Sequence, residues 1–255
     1  MQKTLRATYI IIFLLVLYLP IAILVGNSLN LSVYGVKWEG FTIKWYQKAL
    51  DNFALMEALK NSLILAFTSA LCTSIIATIS ALSFYMYRYI GRKVIYFSIQ
   101  VMIVLPDIIV GIGLLFLFTL LQIELGYFTL LIGHIALSLP FTVITVFAGF
   151  KGLDKNVIEV AKDLGATDYQ IFLKIILPII LPNIMSAYLI AFTLSLDDVL
   201  VSYFVSGANY EILPLVIYSL ARLGVKPEVN AVCTLMLLFS ILLIGLSQAL
   251  IRKKL

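Results

Sequence analysis

Residues 152–178 read GLDKNVIEVAKDLGATDYQIFLKIILP, a stretch rich in helix punctuation set between two long apolar runs. Asp154 can cap a helix over 155–164, because its short carboxylate reaches the unpaired amides of the first turn. Gly165 can take the left-handed conformation that ends such a helix. Val157, Ile158, Ala161 and Leu164 fall on one apolar face, while Glu159, Lys162 and Asp163 point the other way. Thr167 and Gln170 form a capping box for a second short helix that runs into 175–178. The spacing predicts two linked amphipathic helices on a surface.

The flanking runs, 125–150 and 175–196, are nearly free of charge, and so are 9–26, 61–87, 94–123 and 229–251. Each can cross a hydrocarbon core of ~30 Å, which takes ~20 helical residues. With 62% hydrophobic and 12% charged residues over 255 positions, the chain needs lipid as its solvent. Continuous apolar runs exclude a transmembrane barrel, whose strands alternate apolar and polar residues. The first run contains Pro20, and no small-residue cleavage pattern follows it, so it reads as an uncleaved helix. The expected fold is an all-α integral membrane protein with six transmembrane helices.

Basic residues resist translocation and set the orientation. Lys3 and Arg6, then Arg88, Arg92 and Lys93, then Lys151, Lys155, Lys162 and Lys174, then Arg252, Lys253 and Lys254 all fall on one side. Both termini and the 152–178 loop are therefore expected in the cytoplasm, with 252–255 as a basic tail. The net charge of +5 is accounted for by this pattern and needs no nucleic-acid partner. Cys72 and Cys233 lack the spacing of a metal site and read as packing residues. His134, the one histidine of the chain, reads as an interhelical hydrogen-bonding group. No phosphate-binding loop ending in Gly-Lys-Ser or Gly-Lys-Thr occurs, so no ATP site is expected in this chain.

Carboxylates inside a membrane are costly unless they face a wet cavity or a partner, which singles out Asp107, Asp197 and Asp198. Counted along a straight helix from Lys93, Asp107 lies ~21 Å from the inner interface, in the outer half. Pro106 would kink that helix, and Gly111 and Gly113 permit close helix approach. The spans hold acidic residues and no internal Lys or Arg, so a pathway through them favours a cation. Asp198 has a second reading, as a cap at the helix boundary or a partner of Arg222 or Lys226. Trp38, Trp45 and Tyr46 in the first outside loop suit interfacial anchoring.

Glu159-Val160-Ala161, Gly165 six residues after the Glu, and Ile175-Ile176-Leu177-Pro178 together resemble the EAA loop of ABC importer permeases, with Val160 where Ala is usual. Trp38 to Tyr46, Leu105-Pro106-Asp107, Ser195-Leu196-Asp197-Asp198, Tyr210-Glu211-Ile212-Leu213-Pro214 and Lys226-Pro227-Glu228-Val229-Asn230 resemble spermidine/putrescine permeases, the C-type subunits in particular. The resemblance implies the type I importer permease fold, with a first helix and outside loop over 1–57 and a permease core over 58–251 that carries the 152–178 loop. It implies that Glu159, Ala161, Asp163 and Gly165 belong to a helix coupled to an ATPase. Asp107, Asp197, Asp198 and Trp45 would line or gate a polyamine path. The implied partners are a homologous second permease, two ATPase subunits that bind ATP and Mg, and an extracytoplasmic polyamine-binding protein. The chain would sit in a bacterial inner membrane and catalyse no covalent chemistry. Alternative cargoes are other small organic cations, and a different class would be a secondary cation transporter.

Overall fold

The computed structural model describes the backbone of residues 2–33, 35, 37–223 and 226–252. Its helices are α1 (Gln2–Ser28), α2 (Lys44–Asp51), α3 (Phe53–Met86), α4 (Arg92–Val104), α5 (Asp107–Leu120), α6 (Tyr127–Gly149), α7 (Lys155–Asp163), α8 (Asp168–Ile171), α9 (Leu177–Asp197), α10 (Leu200–Val205), α11 (Leu213–Leu223) and α12 (Pro227–Arg252). A π-helical segment, Phe172–Ile176, joins α8 to α9. No strand occurs among the described residues. Long apolar runs leave the backbone no solvent partner in lipid, and the helix satisfies it internally.

Four stretches, Thr8–Ser28, Phe53–Met86, Tyr127–Gly152 and Asp168–Asp197, are each long and apolar enough to span a membrane. The expected third span is a pair, α4 and α5, bent by 114° at their junction. Leu105 and Pro106 are both extended there, each with ψ 133°. Proline disfavours helical backbone in the residue before it and donates no amide of its own. The kink expected at Pro106 is thus a full break, and the depth reckoned for Asp107 along a straight helix does not hold. The expected sixth span lies on α12, apolar over Pro227–Leu242. Lys253 and Lys254 of the basic tail fall outside the described residues.

The chain divides into two compact units, Met1–Glu57 with Val216–Leu246, and Ala58–Leu215 with Ser247–Leu255. Val216–Leu246 thus clusters with the N-terminal segment rather than with the rest of the 58–251 stretch. In the first unit the loop after α1 is organised by Asn30, 2% exposed. Its side-chain amide donates to the Lys37 carbonyl at 2.8 Å, and its Oδ1 accepts from the amides of Ser32 and Glu39 at 3.2 and 3.0 Å.

The second unit has two apolar clusters. One joins Ala77 and Phe84 of α3, Val146 of α6, Ile158 of α7, Ile171 of α8 and Ile180 of α9. The other joins Leu65 of α3, Phe118 of α5, Leu130 of α6 and Val201 and Val205 of α10. Short α10 seats against two glycines. A Cβ on Gly111 would meet Phe204 at 2.8 Å and the Val201 backbone at 3.2 Å, and one on Gly133 would meet Val201 and Val205 at 3.1 and 3.2 Å. Gly113, expected to share this role, has nothing within 4 Å of its Cβ position.

Candidate functional site

Asp107 opens α5 and Asp197 closes α9, and both are exposed. Asp107 and Asp198 both act electrostatically on Asp197. Among the described residues neither Asp107 nor Asp197 pairs with a Lys or Arg. Their helix positions differ in consequence. A carboxylate at a helix N-terminus is favoured by the helix dipole, whereas one at the C-terminus faces its negative end. Asp197 is therefore the carboxylate with most to gain from an approaching cation.

Asp198, the next residue, is placed quite differently. It is 7% exposed, and its carboxylate accepts from the Val201 amide at 3.2 Å, the Ser202 amide at 2.8 Å and the Ser202 hydroxyl at 2.7 Å. This geometry places Asp198 in the position of its second reading, a cap at the helix boundary. It caps α10, and its lone pairs are taken up by the chain itself. Among the described residues Asp198 forms no ion pair with Arg222 or Lys226, and Arg222 lies over the Tyr218 ring at 4.5 Å.

Beside Asp198 lies a buried polar layer that the sequence reading did not assemble. His134 is 0% exposed, with Nδ1 2.6 Å from the Ser195 hydroxyl and Nε2 2.9 Å from the Ser202 hydroxyl. Asp198 Oδ2 lies 3.7 Å from Nε2. One set of proton positions satisfies the whole chain. Ser195 donates to Nδ1, Nε2–H donates to Ser202, and Ser202 donates to Asp198. Ser69 of α3 adds a bond to Ser195 at 3.1 Å, and Thr73 meets Ser138 at 3.1 Å. His134 thus has the interhelical hydrogen-bonding role expected of it, with partners on α9 and α10. A signal was present in the sequence, since His134, Ser138 and Thr142 recur every four residues and share a helix face.

At the other end of the same unit, the 152–178 loop folds as its punctuation predicts. Asp154 caps α7 by accepting from the Asn156 amide at 3.0 Å. Gly165 has φ +82°, a left-handed value that suits glycine. The capping box is complete, with Thr167 N–H donating to Gln170 at 3.0 Å and Gln170 N–H to the Thr167 hydroxyl at 3.3 Å. Lys162 pairs with Asp168 at 3.1 Å and so ties α7 to α8. The apolar face is narrower than expected. Ile158 is buried and Ala161 half-buried, but Val157, Val160 and Leu164 stand 45%, 56% and 83% exposed. Glu159 and Asp163 are exposed beside them, so α7 presents a mixed apolar and acidic outer surface.

In the loops after α1 and before α11 the structure assigns packing roles. Trp45, which the family resemblance implies as a residue of the substrate path, is 5% exposed. Its indole N–H donates to the Asn30 carbonyl at 2.7 Å, and Lys48 Nζ lies 5.5 Å from its ring centre. The cation over this ring belongs to the protein, and in this structure Trp45 packs the loop. Trp38 remains exposed. Tyr46 shares a 2.7 Å hydrogen bond with Ser28. Tyr210 donates to the Asn61 carbonyl at 3.1 Å, and burial, then the neighbouring Tyr127, pushes its phenol up to about 12.

Comparison with known proteins places this architecture. The family model described as binding-protein-dependent transport system inner membrane component matches residues 70–255. The spermidine/putrescine transport system permease protein PotC of Escherichia coli (strain K12) is 44% identical over 252 residues, which is 99% of this chain and 96% of that protein. The putrescine transport system permease protein PotI of the same organism is 36% identical over 228 residues, 87% of this chain and 81% of that one. A chain of the bacterial alginate ABC transporter, solved in complex with an alginate pentasaccharide-bound periplasmic protein, superposes with a TM-score of 0.75 at 18% identity, covering 99% of this chain and 94% of that chain. That last likeness shows the shared fold.

Proposed function

This chain belongs to the family of binding-protein-dependent transport system inner membrane components, and on that premise we propose that it is the permease subunit of an ATP-driven importer of polyamines, spermidine or putrescine. As a family member it is a multi-pass inner-membrane transport protein. The single observation that carries the cargo reading is the exposed carboxylate pair, Asp107 and Asp197, left without a Lys or Arg partner among the described residues. Two carboxylates within each other's field raise each other's energy, and a molecule with several ammonium groups on an aliphatic chain relieves both. The relatives named for spermidine and putrescine transport support the same cargo.

The working complex would contain a second homologous permease, two ATPase subunits that bind ATP and Mg, and an extracytoplasmic binding protein that delivers the polyamine. Both termini and α7 would face the cytoplasm. Glu159, Asp163 and the exposed apolar residues of α7 would meet an ATPase subunit, with Ala161 and Gly165 shaping the helix that does so. Ile158 roots α7 in the cluster shared by α3, α6, α8 and α9, so a push on α7 moves packed helices rather than a loose loop. Such a cycle imports substrate only if affinity at the carboxylates differs between its two end states.

The test is uptake of labelled spermidine and putrescine by cells lacking their own importers, expressing the whole transporter with wild-type or Asp197→Asn permease. Saturable uptake that falls in the variant at equal membrane levels supports the reading. A complex that hydrolyses ATP yet takes up neither polyamine overturns the cargo and leaves another small organic cation as the alternative.

A further inference from the structure

A cavity of about 670 Å³ opens where α3 ends and α4 begins, lined by Arg88, Arg92, Lys93, Tyr89, Tyr96 and Phe147 among others. No carboxylate among the described residues pairs with any of the three cations, and the Arg92 guanidinium donates a long 3.5 Å bond to the Tyr87 carbonyl. Three basic residues thus line one cavity with no carboxylate paired to them among the described residues, beside the rings of Phe84, Tyr89, Tyr96 and Phe147. Tyr96 packs edge-on to Phe84 and Phe147, with ring centres 6.0 and 6.3 Å apart. The cavity shares Phe84 and Phe147 with the cluster that holds α7, so it lies at the same end of the unit as the 152–178 loop.

From this mouth α4 runs on with no buried residue, and Val94, Phe97 and Val104 stand 66%, 67% and 83% exposed. The ligand that matches both features carries a negative head and a long apolar tail. A polyamine is repelled by the three cations, and a free inorganic anion leaves the aromatic wall and the α4 face unused. We propose that this cavity binds the phosphodiester headgroup of an anionic glycerophospholipid, with an acyl chain lying along α4. Arg88, Arg92 and Lys93 meet the phosphate, and the tyrosines line the interface where such rings settle. The inference rests on the cytoplasmic placement of this end proposed above. Setting the orientation needs the positive charges alone, whereas the cavity adds a shaped place for one lipid.

The experiment uses the complete transporter reconstituted in phosphatidylcholine proteoliposomes containing a photoactivatable phosphatidylglycerol, with crosslinked peptides read by mass spectrometry. Labelling is expected within residues 84–96. Unlabelled phosphatidylglycerol should compete, and phosphatidylcholine or inorganic phosphate should not. Each basic residue near an anionic surface is worth about fivefold in affinity, so R88Q/R92Q/K93Q should weaken binding about a hundredfold, while R88K/R92K should keep labelling. Equal labelling by a phosphatidylcholine probe overturns the proposal. So does competition by inorganic phosphate, which marks a soluble-anion site, and so does an unlabelled cavity in the assembled complex, which marks a surface covered by a partner subunit. If the Gln variant fails to insert, the selectivity of wild-type labelling alone decides. Polyamine uptake by the same proteoliposomes is scored separately, so lipid binding can fail while the importer reading stands.

Discussion

Around His134 of α6, serine hydroxyls from α3, α9 and α10 and the Asp198 carboxylate between α9 and α10 form one hydrogen-bonded chain, with contacts of 2.6 to 3.1 Å. Around Asp107 and Asp197 the same kind of acidic group is left exposed and unpaired by Lys or Arg among the described residues. Asp197 and Asp198 are neighbours in sequence and belong to opposite regions. The contrast teaches that intramembrane acidity is not in itself a sign of a substrate path. A carboxylate whose acceptors are filled by the protein holds helices together, and one left open is available to a cation.

Substitutions separate the two regions, the largest effect first. Asp198→Ala removes the acceptor of two backbone amides and of the Ser202 hydroxyl in a buried site. Bonds to charged groups and helix caps are together worth about 2–4 kcal/mol, so the variant should show a markedly lower unfolding temperature in detergent and poor membrane levels. If Asp198→Ala instead stays fully stable while uptake disappears, the division between the two aspartates fails.

Asp197→Asn should do the reverse. It removes a negative charge from the negative end of α9, so stability should hold or rise by a few tenths of a kcal/mol. Polyamine uptake at equal membrane level should fall about tenfold, the loss of roughly 1.4 kcal/mol of cation attraction. Measuring both in one preparation sharpens the comparison, because a purely structural residue would lower the two together.

Glu159→Ala lies on the exposed surface of α7, where substitutions usually change stability by less than ~0.5 kcal/mol. Thermal unfolding should match wild type, while uptake falls and ATP hydrolysis no longer responds to the loaded binding protein. An unchanged response would remove Glu159 from the coupling surface.

The smallest effect concerns Tyr210. Its folded phenol is pushed up to about 12 from an ordinary value near 10, so the fold favours the neutral form. That contribution is fully present below pH ~10 and is lost as pH rises through about 12. The difference in tyrosinate absorbance between wild type and Tyr210→Phe should titrate late, and the variant should lose about 1 kcal/mol with its bond to the Asn61 carbonyl.

Local signals were legible where the physics is local. Continuous apolar runs specify helices in lipid because a helix satisfies its backbone within the segment, whereas barrel strands would alternate apolar and polar residues, and Asp154, Gly165, Thr167 and Gln170 act on amides within a few residues of themselves. The α7–α8 pair could therefore be read from residues 152–178 with its caps in place. Pro106 signalled a disruption, but neighbouring packing decides whether a proline kinks a helix or breaks it, and here the break is 114°. How much of α7's apolar face is buried also escaped the pattern, because Leu164 follows the helical period yet stands 83% exposed.

The sequence by itself determined a polytopic helical membrane protein with a capped two-helix loop, since hydropathy, charge bias and capping are properties of contiguous residues. Tertiary structure alone decided that Asp198 turns inward to α10 while Asp197 stays open, that His134 finds hydroxyls 61 and 68 residues away, and that Trp45 is held by Asn30 and Lys48. Those outcomes depend on which distant groups the packed helices bring within hydrogen-bonding range, and no local pattern records that.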